Sequence, residues 1–144
     1  MTIKALARSA VDTALRQEWM RRTEELAHQI KAWVEQEPGW TMTSDEEVEI
    51  EEELLGAYSV SLWKIVTPDG EVRLEPIARN YPGRGIVELY AWPTLRRVRL
   101  LLGRDGTWQV RVDSGFSLRQ PWDREHFVLL VRDLIGADDL LEAE

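Results

Sequence analysis

Apolar and polar positions follow two periods along this chain, and the change from one to the other outlines its elements. Over residues 2–36, Leu15, Trp19, Leu26, Ile30 and Trp33 or Val34 recur at helical spacing with no Pro or Gly between them. That spacing lines one side of an α-helix and predicts one long N-terminal helix. Ala5, Leu6, Ala10, Val11 and Ala14 carry a weaker stripe of smaller residues toward the N-terminus. Pro38 restricts its predecessor and Gly39 permits a turn, so the helix ends there. At about 1.5 Å per residue it would be roughly 50 Å long, against the ~17 to 20 Å of a typical strand. The excess predicts either a break near residues 10–13 or a first part that runs past the sheet to a partner.

Beyond residue 40 the period shortens to two. Residues 96–113 show it most plainly: Val98, Leu100 and Leu102 alternate with Arg97, Arg99 and Leu101, and Trp108, Val110 and Val112 with Gln109 and Arg111. A three-residue loop at 104–106, with Gly106 in the left-handed conformation, joins the two runs. The register that follows sets Leu102 against Trp108, Leu100 against Val110 and Val98 against Val112. A slip of one residue would pair apolar with polar side chains, so loop and pattern support the same register. The other face then carries Arg97 opposite Asp113, Leu101 opposite Gln109 and Arg99 opposite Arg111. Like charges directly opposite repel.

A second hairpin is expected at 58–77, where Thr67-Pro68-Asp69-Gly70 is a type I turn signal that pairs Trp63 with Leu74 and Ile65 with Val72 across a four-residue loop. Pro76 cannot donate to a ladder, so its strand ends there or lies at an edge. A loop at 80–85 and a strand at 86–92, closed by Pro93, complete the approach to the hairpin at 96–113. Residues 40–55 admit two readings. Ser44 with Glu47 resembles a capping box, with Gly56 as the stop. Against a helix, Val48 would need apolar company at 51 and 52, and both are Glu. Val48, Ile50 and Leu54 alternate with Glu47, Glu49, Glu51 and Glu53, which favours a strand with a row of carboxylates on one face. Phe127, Leu130, Val131 and Leu134 then mark a helix at 121–135, with Asp123 as N-cap and Gly136 as stop. Residues 137–144 read as a short acidic tail. The expected fold is α+β in one domain of 144 residues: a long N-terminal helix, an antiparallel sheet of four to six strands built from hairpins, and a C-terminal helix packed on one sheet face.

Charge changes this picture more than composition does. The net charge of −8 is uneven: zero over residues 1–40, −7 over 41–60, +4 over 61–120 and −5 over 121–144. The hairpins are thus basic inside an acidic protein. Overall acidity argues against nonspecific nucleic-acid binding, which depends on phosphate neutralisation. There is no cysteine, which removes disulfides, thiolate nucleophiles and cysteine metal sites and fits a cytoplasmic protein. No apolar run reaches the ~18 to 20 residues of a membrane helix.

Candidate chemistry is sparse. His28 and His126 sit on the two predicted helices without companions at metal-ligand spacing. No serine has the setting of a nucleophile elbow, and no glycine pair forms a phosphate loop. An enzyme is therefore disfavoured, and no cofactor is implied. The carboxylates at 45–53 could bind a divalent cation but lack the spacing of an EF-hand loop. Arg97, Arg99 and Arg111 are the strongest candidates for binding, because guanidinium forks suit carboxylates and phosphates. Trp92 and Trp122 stand beside prolines at element ends, where half-exposed rings anchor interfaces. The expected function is a non-catalytic protein-interaction module, with a protein partner or a second copy held by the open sheet face or the long helix. Nucleic-acid or anionic-ligand binding through the arginines, and a metal-dependent enzyme using the 45–53 carboxylates, are the alternatives. The simplest fate for the arginines is internal: the acidic strand at 47–53 lies over Arg99 and Arg111 and neutralises them.

Overall fold

The structure is a computed structural model and describes residues 3–53, 55–79, 85–93, 96–103, 105–112 and 121–136. Helix α1 (Ile3–Glu35) is followed by strands β1 (Thr41–Glu52), β2 (Gly56–Thr67), β3 (Gly70–Ala78), β4 (Ile86–Trp92), β5 (Arg97–Leu102) and β6 (Trp108–Val112), and then by helix α2 (Arg124–Leu134). The strands form one antiparallel sheet in chain order, β1 through β6. The fold is the α+β arrangement that the periodicities predict, with all six strands present. Among the described residues no helix is long and apolar enough to cross a membrane.

Both helices cover the same face of the sheet. Trp19, Leu26, Ile30 and Val34 of α1, and Phe127, Leu130, Val131 and Leu134 of α2, join one apolar cluster with Val72, Leu74, Val87, Leu89, Val98, Leu100 and Val110. Burying each such side chain contributes about 1.5–3 kcal/mol, so this layer supplies much of the force that holds the helices on the sheet. Asp123 caps α2 by accepting the backbone N–H of His126 at 2.9 Å, and Gly136 ends it at φ +75°. Of the two alternatives for α1, the break near residues 10–13 does not occur, for the helix is continuous over its 33 residues. Val11 stays exposed, and Arg16 donates to the Leu55 carbonyl at 3.0 Å beside the β1–β2 turn.

Two hairpins take the predicted pairings. In β5–β6, Val98 faces Val112, Leu100 faces Val110, Leu102 faces Trp108 and Arg99 faces Arg111, with Gly106 at φ +83°. In β2–β3, Trp63 faces Leu74 and Ile65 faces Val72. This turn is tighter than expected: Thr67 pairs with Gly70, leaving only Pro68 and Asp69 between the strands. The Thr67 hydroxyl makes that possible by accepting the Asp69 and Gly70 N–H groups at 3.2 and 3.1 Å. Pro76 does not end β3, which runs on to Ala78. The β2–β3 ladder stops at Leu74 and the β3–β4 register shifts beside Pro76, so the proline falls where neither ladder is regular. The loop at 80–84, Leu54, Arg104, Asp113 and the tail at 137–144 lie outside the described residues.

The ambiguous segment is a strand, as alternation favoured. Its register against β2 shifts between Thr43 and Glu46, so Ser44 and Asp45 together oppose Trp63. Extra residues of this kind bend a strand and sharpen its twist. The Ser44 hydroxyl donates to the Leu62 carbonyl at 2.9 Å and holds the bulge. Across it, the buried positions of β2 change from Tyr58, Val60 and Leu62 to Ile65 and Thr67, while β1 keeps Met42 and Ile50 buried. The buried Tyr58 hydroxyl donates to the Glu52 carboxylate; burial first, and then that carboxylate, push its pKa well above the ordinary tyrosine value.

Candidate functional site: the open face of the sheet

Alternation sends every second residue of the central strands away from the helices. On β3 these are Glu71, Arg73 and Glu75, on β4 Glu88, Tyr90 and Trp92, on β5 Arg97 and Arg99, and on β6 Gln109 and Arg111. Register then arranges them in rows. One row runs Lys64, Arg73, Tyr90, Arg97, and the next Glu75, Glu88, Arg99, Arg111. Among the described residues both helices lie on the opposite side, so this face has no layer over it.

The arginines find one acidic neighbour. Glu88 lies 3.7 Å from Arg97 Nη1 and 3.5 Å from Arg99 Nε. At that distance the Arg99 pairing is ionic without a hydrogen bond, and the buried Nε has no hydrogen-bond partner. Arg111 is exposed and makes no ion pair among the described residues. Among the described residues, two guanidinium groups therefore share one carboxylate and the third has none.

The internal neutralisation expected from β1 is overturned by the strand order. β1 and β6 are opposite edges of the sheet, and at about 4.8 Å per strand β1 lies roughly 19 Å from β5. The carboxylates of β1 cannot reach Arg99 or Arg111 within one copy. They meet Lys64 instead, whose Nζ is 3.2 Å from Glu46 and 3.8 Å from Asp45.

Toward β3 the face is acidic and ordered. Glu75 and Glu88 are directly opposite. The Tyr90 hydroxyl donates to Glu75 at 3.3 Å. Burial raises the Glu75 pKa above its ordinary value, the Tyr90 hydrogen bond opposes that rise, and the Glu88 charge adds to it. Burial and then the Glu75 charge likewise raise the Tyr90 pKa. Arg73 donates to Glu71 at 2.8 Å and lays its guanidinium 3.9 Å from the centre of the Trp92 ring. Trp92 is 47% exposed, so one ring face rests on a fixed cation and the rest meets solvent.

The structure thus brings together four of the five sequence candidates, Arg97, Arg99, Arg111 and Trp92, on one face. Trp122 lies elsewhere, against α1. Its ring meets Trp33 at 5.1 Å and Phe127 at 5.9 Å, and its Nε1 donates to Gln29 at 2.9 Å. Sequence reasoning missed Glu88, Glu75 and Tyr90. Alternation within 86–92 marks Glu88 and Tyr90 as sharing a face, but their partners depend on the β3–β4 and β4–β5 registers, which no turn signal sets. Of the histidines, His28 sits 3.9 Å from Glu24, and the His126 Nδ1 is 2.7 Å from Asp123.

Chemically the face can offer guanidinium forks to an anion and an aromatic edge to an apolar group. Among the described residues no group of three or more His, Asp or Glu side chains could hold a metal ion. No protein-family model matches the chain, and neither a curated protein nor a solved structure resembles it significantly.

Proposed function

We propose that this protein is a non-catalytic interaction module whose open sheet face holds an acidic segment of a protein partner. The observation that carries this reading is the charge excess at the β5–β6 end, where, among the described residues, Glu88 is the one carboxylate paired with Arg97 and Arg99 and none is paired with Arg111. Trp, Tyr and Arg are the residues that most often dominate binding energy at protein interfaces. Trp92, Tyr90, Arg73, Arg97, Arg99 and Arg111 put all three types on this one face. A carboxylate seated between Arg99 and Arg111 would relieve their facing charges and give the Arg99 side chain an acceptor. The absence of cysteine supports a cytoplasmic setting for such a partnership.

Nucleic acid would use the same arginines, but a net charge of −8 opposes a polyanion over the whole surface. Fluorescence anisotropy separates the two. A labelled glutamate-rich peptide and a single-stranded oligonucleotide of equal charge are titrated with the wild type and with Arg99→Glu/Arg111→Glu. The expected result is salt-sensitive binding of the peptide, lost in the variant. Tighter binding of the oligonucleotide would replace this reading, and binding of neither would end it.

A further inference from the structure

We infer that copies of this chain join edge to edge, the acidic β1 of one copy pairing with the basic β6 of the next. This proposal uses the two edge strands of the sheet and shares with the reading above only the arginines at the β6 edge, so the β1 edge tests it independently. β1 and β6 are the two outermost strands, and among the described residues nothing pairs beyond either. Unpaired edges are templates for another strand, and charge decides which strand is admitted.

The two edges carry opposite charge on the same alternating plan. In β1, Glu47, Glu49 and Glu51 are exposed, whereas Val48 is half-buried and Ile50 buried. None of these three carboxylates has an ion pair among the described residues. In β6, Val110 is buried, Gln109 half-buried and Arg111 exposed, with Arg99 directly beside it on β5. A sheet continued through a β1–β6 joint therefore keeps apolar positions level with apolar positions and sets glutamates against Arg111. Lengths agree as well. The bulge spoils β1 up to Asp45, and the regular run left at 46–52 is long enough to span the five residues of β6.

The symmetric alternatives fail on the same pattern. A β1–β1 joint would face carboxylates with carboxylates, and like charges directly opposite destabilise a strand pair; a β6–β6 joint in full register would set Arg111 against Gln109 and gain no ion pair. Only the unlike joint is attractive. It is a head-to-tail contact, which leaves one edge of each kind free and builds rows of copies rather than a closed dimer.

Sedimentation velocity over a wide concentration range tests this on the full chain. At low salt the wild type should show a weight-average mass that rises with concentration past the dimer, and high salt should return it to monomer. Glu49→Arg/Glu51→Arg and Arg111→Glu should each be monomeric alone, with circular dichroism confirming that both are folded. Mixed, they should associate again, because the intact basic β6 of the first meets the intact acidic β1 of the second, and the two reversed edges are of unlike charge as well. A wild type that is monomeric throughout at low salt overturns the proposal, as does a closed dimer insensitive to both variants or a mixture that stays monomeric. The β1 variant leaves the open face untouched, so loss of self-association with intact acidic-peptide binding separates this proposal from the functional reading.

Discussion

A Cβ added at Gly85 would come within 2.2 Å of the Trp19 ring, and that ring is only 1% exposed. The ring cannot swing aside, because it also packs against Trp108 at 6.1 Å between centres. Gly85→Ala should therefore cost about 1–3 kcal/mol in urea unfolding, the usual range for overfilling a packed interior. Trp19→Phe should relieve much of that cost in the double variant. The Trp19 Nε1 is buried near the Tyr58 hydroxyl without hydrogen-bond geometry, so little polar stabilisation is lost with the indole. Additive costs in the double variant would show that the clash is not the cause. Glu75 offers a second test at this scale. Its pKa is raised in the folded protein, chiefly by burial, so the native state binds its proton more tightly than the unfolded chain does. Stability from this group is thus greatest at low pH and falls as pH rises from the ordinary value of 4.5 through the raised one. Glu75→Gln should raise the urea midpoint at pH 7 and leave it nearly unchanged at pH 4. An equal change at both pH values would mean that ionisation of Glu75 is not what matters.

Elements whose local signals agreed were legible in the sequence. The β5–β6 register follows from a left-handed glycine and an unbroken alternation, and α2 from a cap, a four-residue stripe and a stop. Asp123 is the clearest case, since its carboxylate accepts the His126 N–H as the cap rule requires. That hydrogen bond first, and then the His126 ring, hold its pKa below the ordinary value of 3.8. Its contribution is therefore present above pH 3.8 and fades as pH falls through the depressed value. Asp123→Ala should lower the melting temperature at pH 7, and Asp123→Asn, which can still cap, should recover most of the loss. Equal losses in the two variants would remove the cap as the cause. What was not legible depends on contacts between distant residues. The continuity of α1 is one such feature, because periodicity alone cannot tell a helix that outruns its sheet from one that breaks. The bulge at Ser44 and Asp45 is another: only the pairing with β2 shows that the inward side of that strand changes at Leu62.

Across the whole molecule, segment charges could be counted from the sequence, but their positions could not. An acidic strand and a basic hairpin invite the assumption that they neutralise each other, and the strand order sets them at opposite edges. Order of this kind is absent from turn signals, since each hairpin is compatible with several arrangements of the others. Four of the five candidate residues nonetheless share one face, because alternation within strands is local. The arginine pair is the place where fold and proposed function pull against each other. Arg99 faces Arg111 across β5–β6, and Glu88 lies near Arg97 and Arg99. Opposite charges directly across two strands contribute roughly 0.2–1 kcal/mol, and like charges cost a similar amount. Arg111→Glu should therefore stabilise the isolated chain by about that amount at low salt, and the gain should shrink near 1 M salt, where screening is short-ranged. The same substitution should weaken acidic-peptide binding in the anisotropy assay. A gain in stability bought with a loss of binding would show that the facing arginines serve a partner and not the fold. If Arg111→Glu instead destabilises the chain, the repulsion is already relieved within it, and the charge excess no longer argues for an acidic ligand.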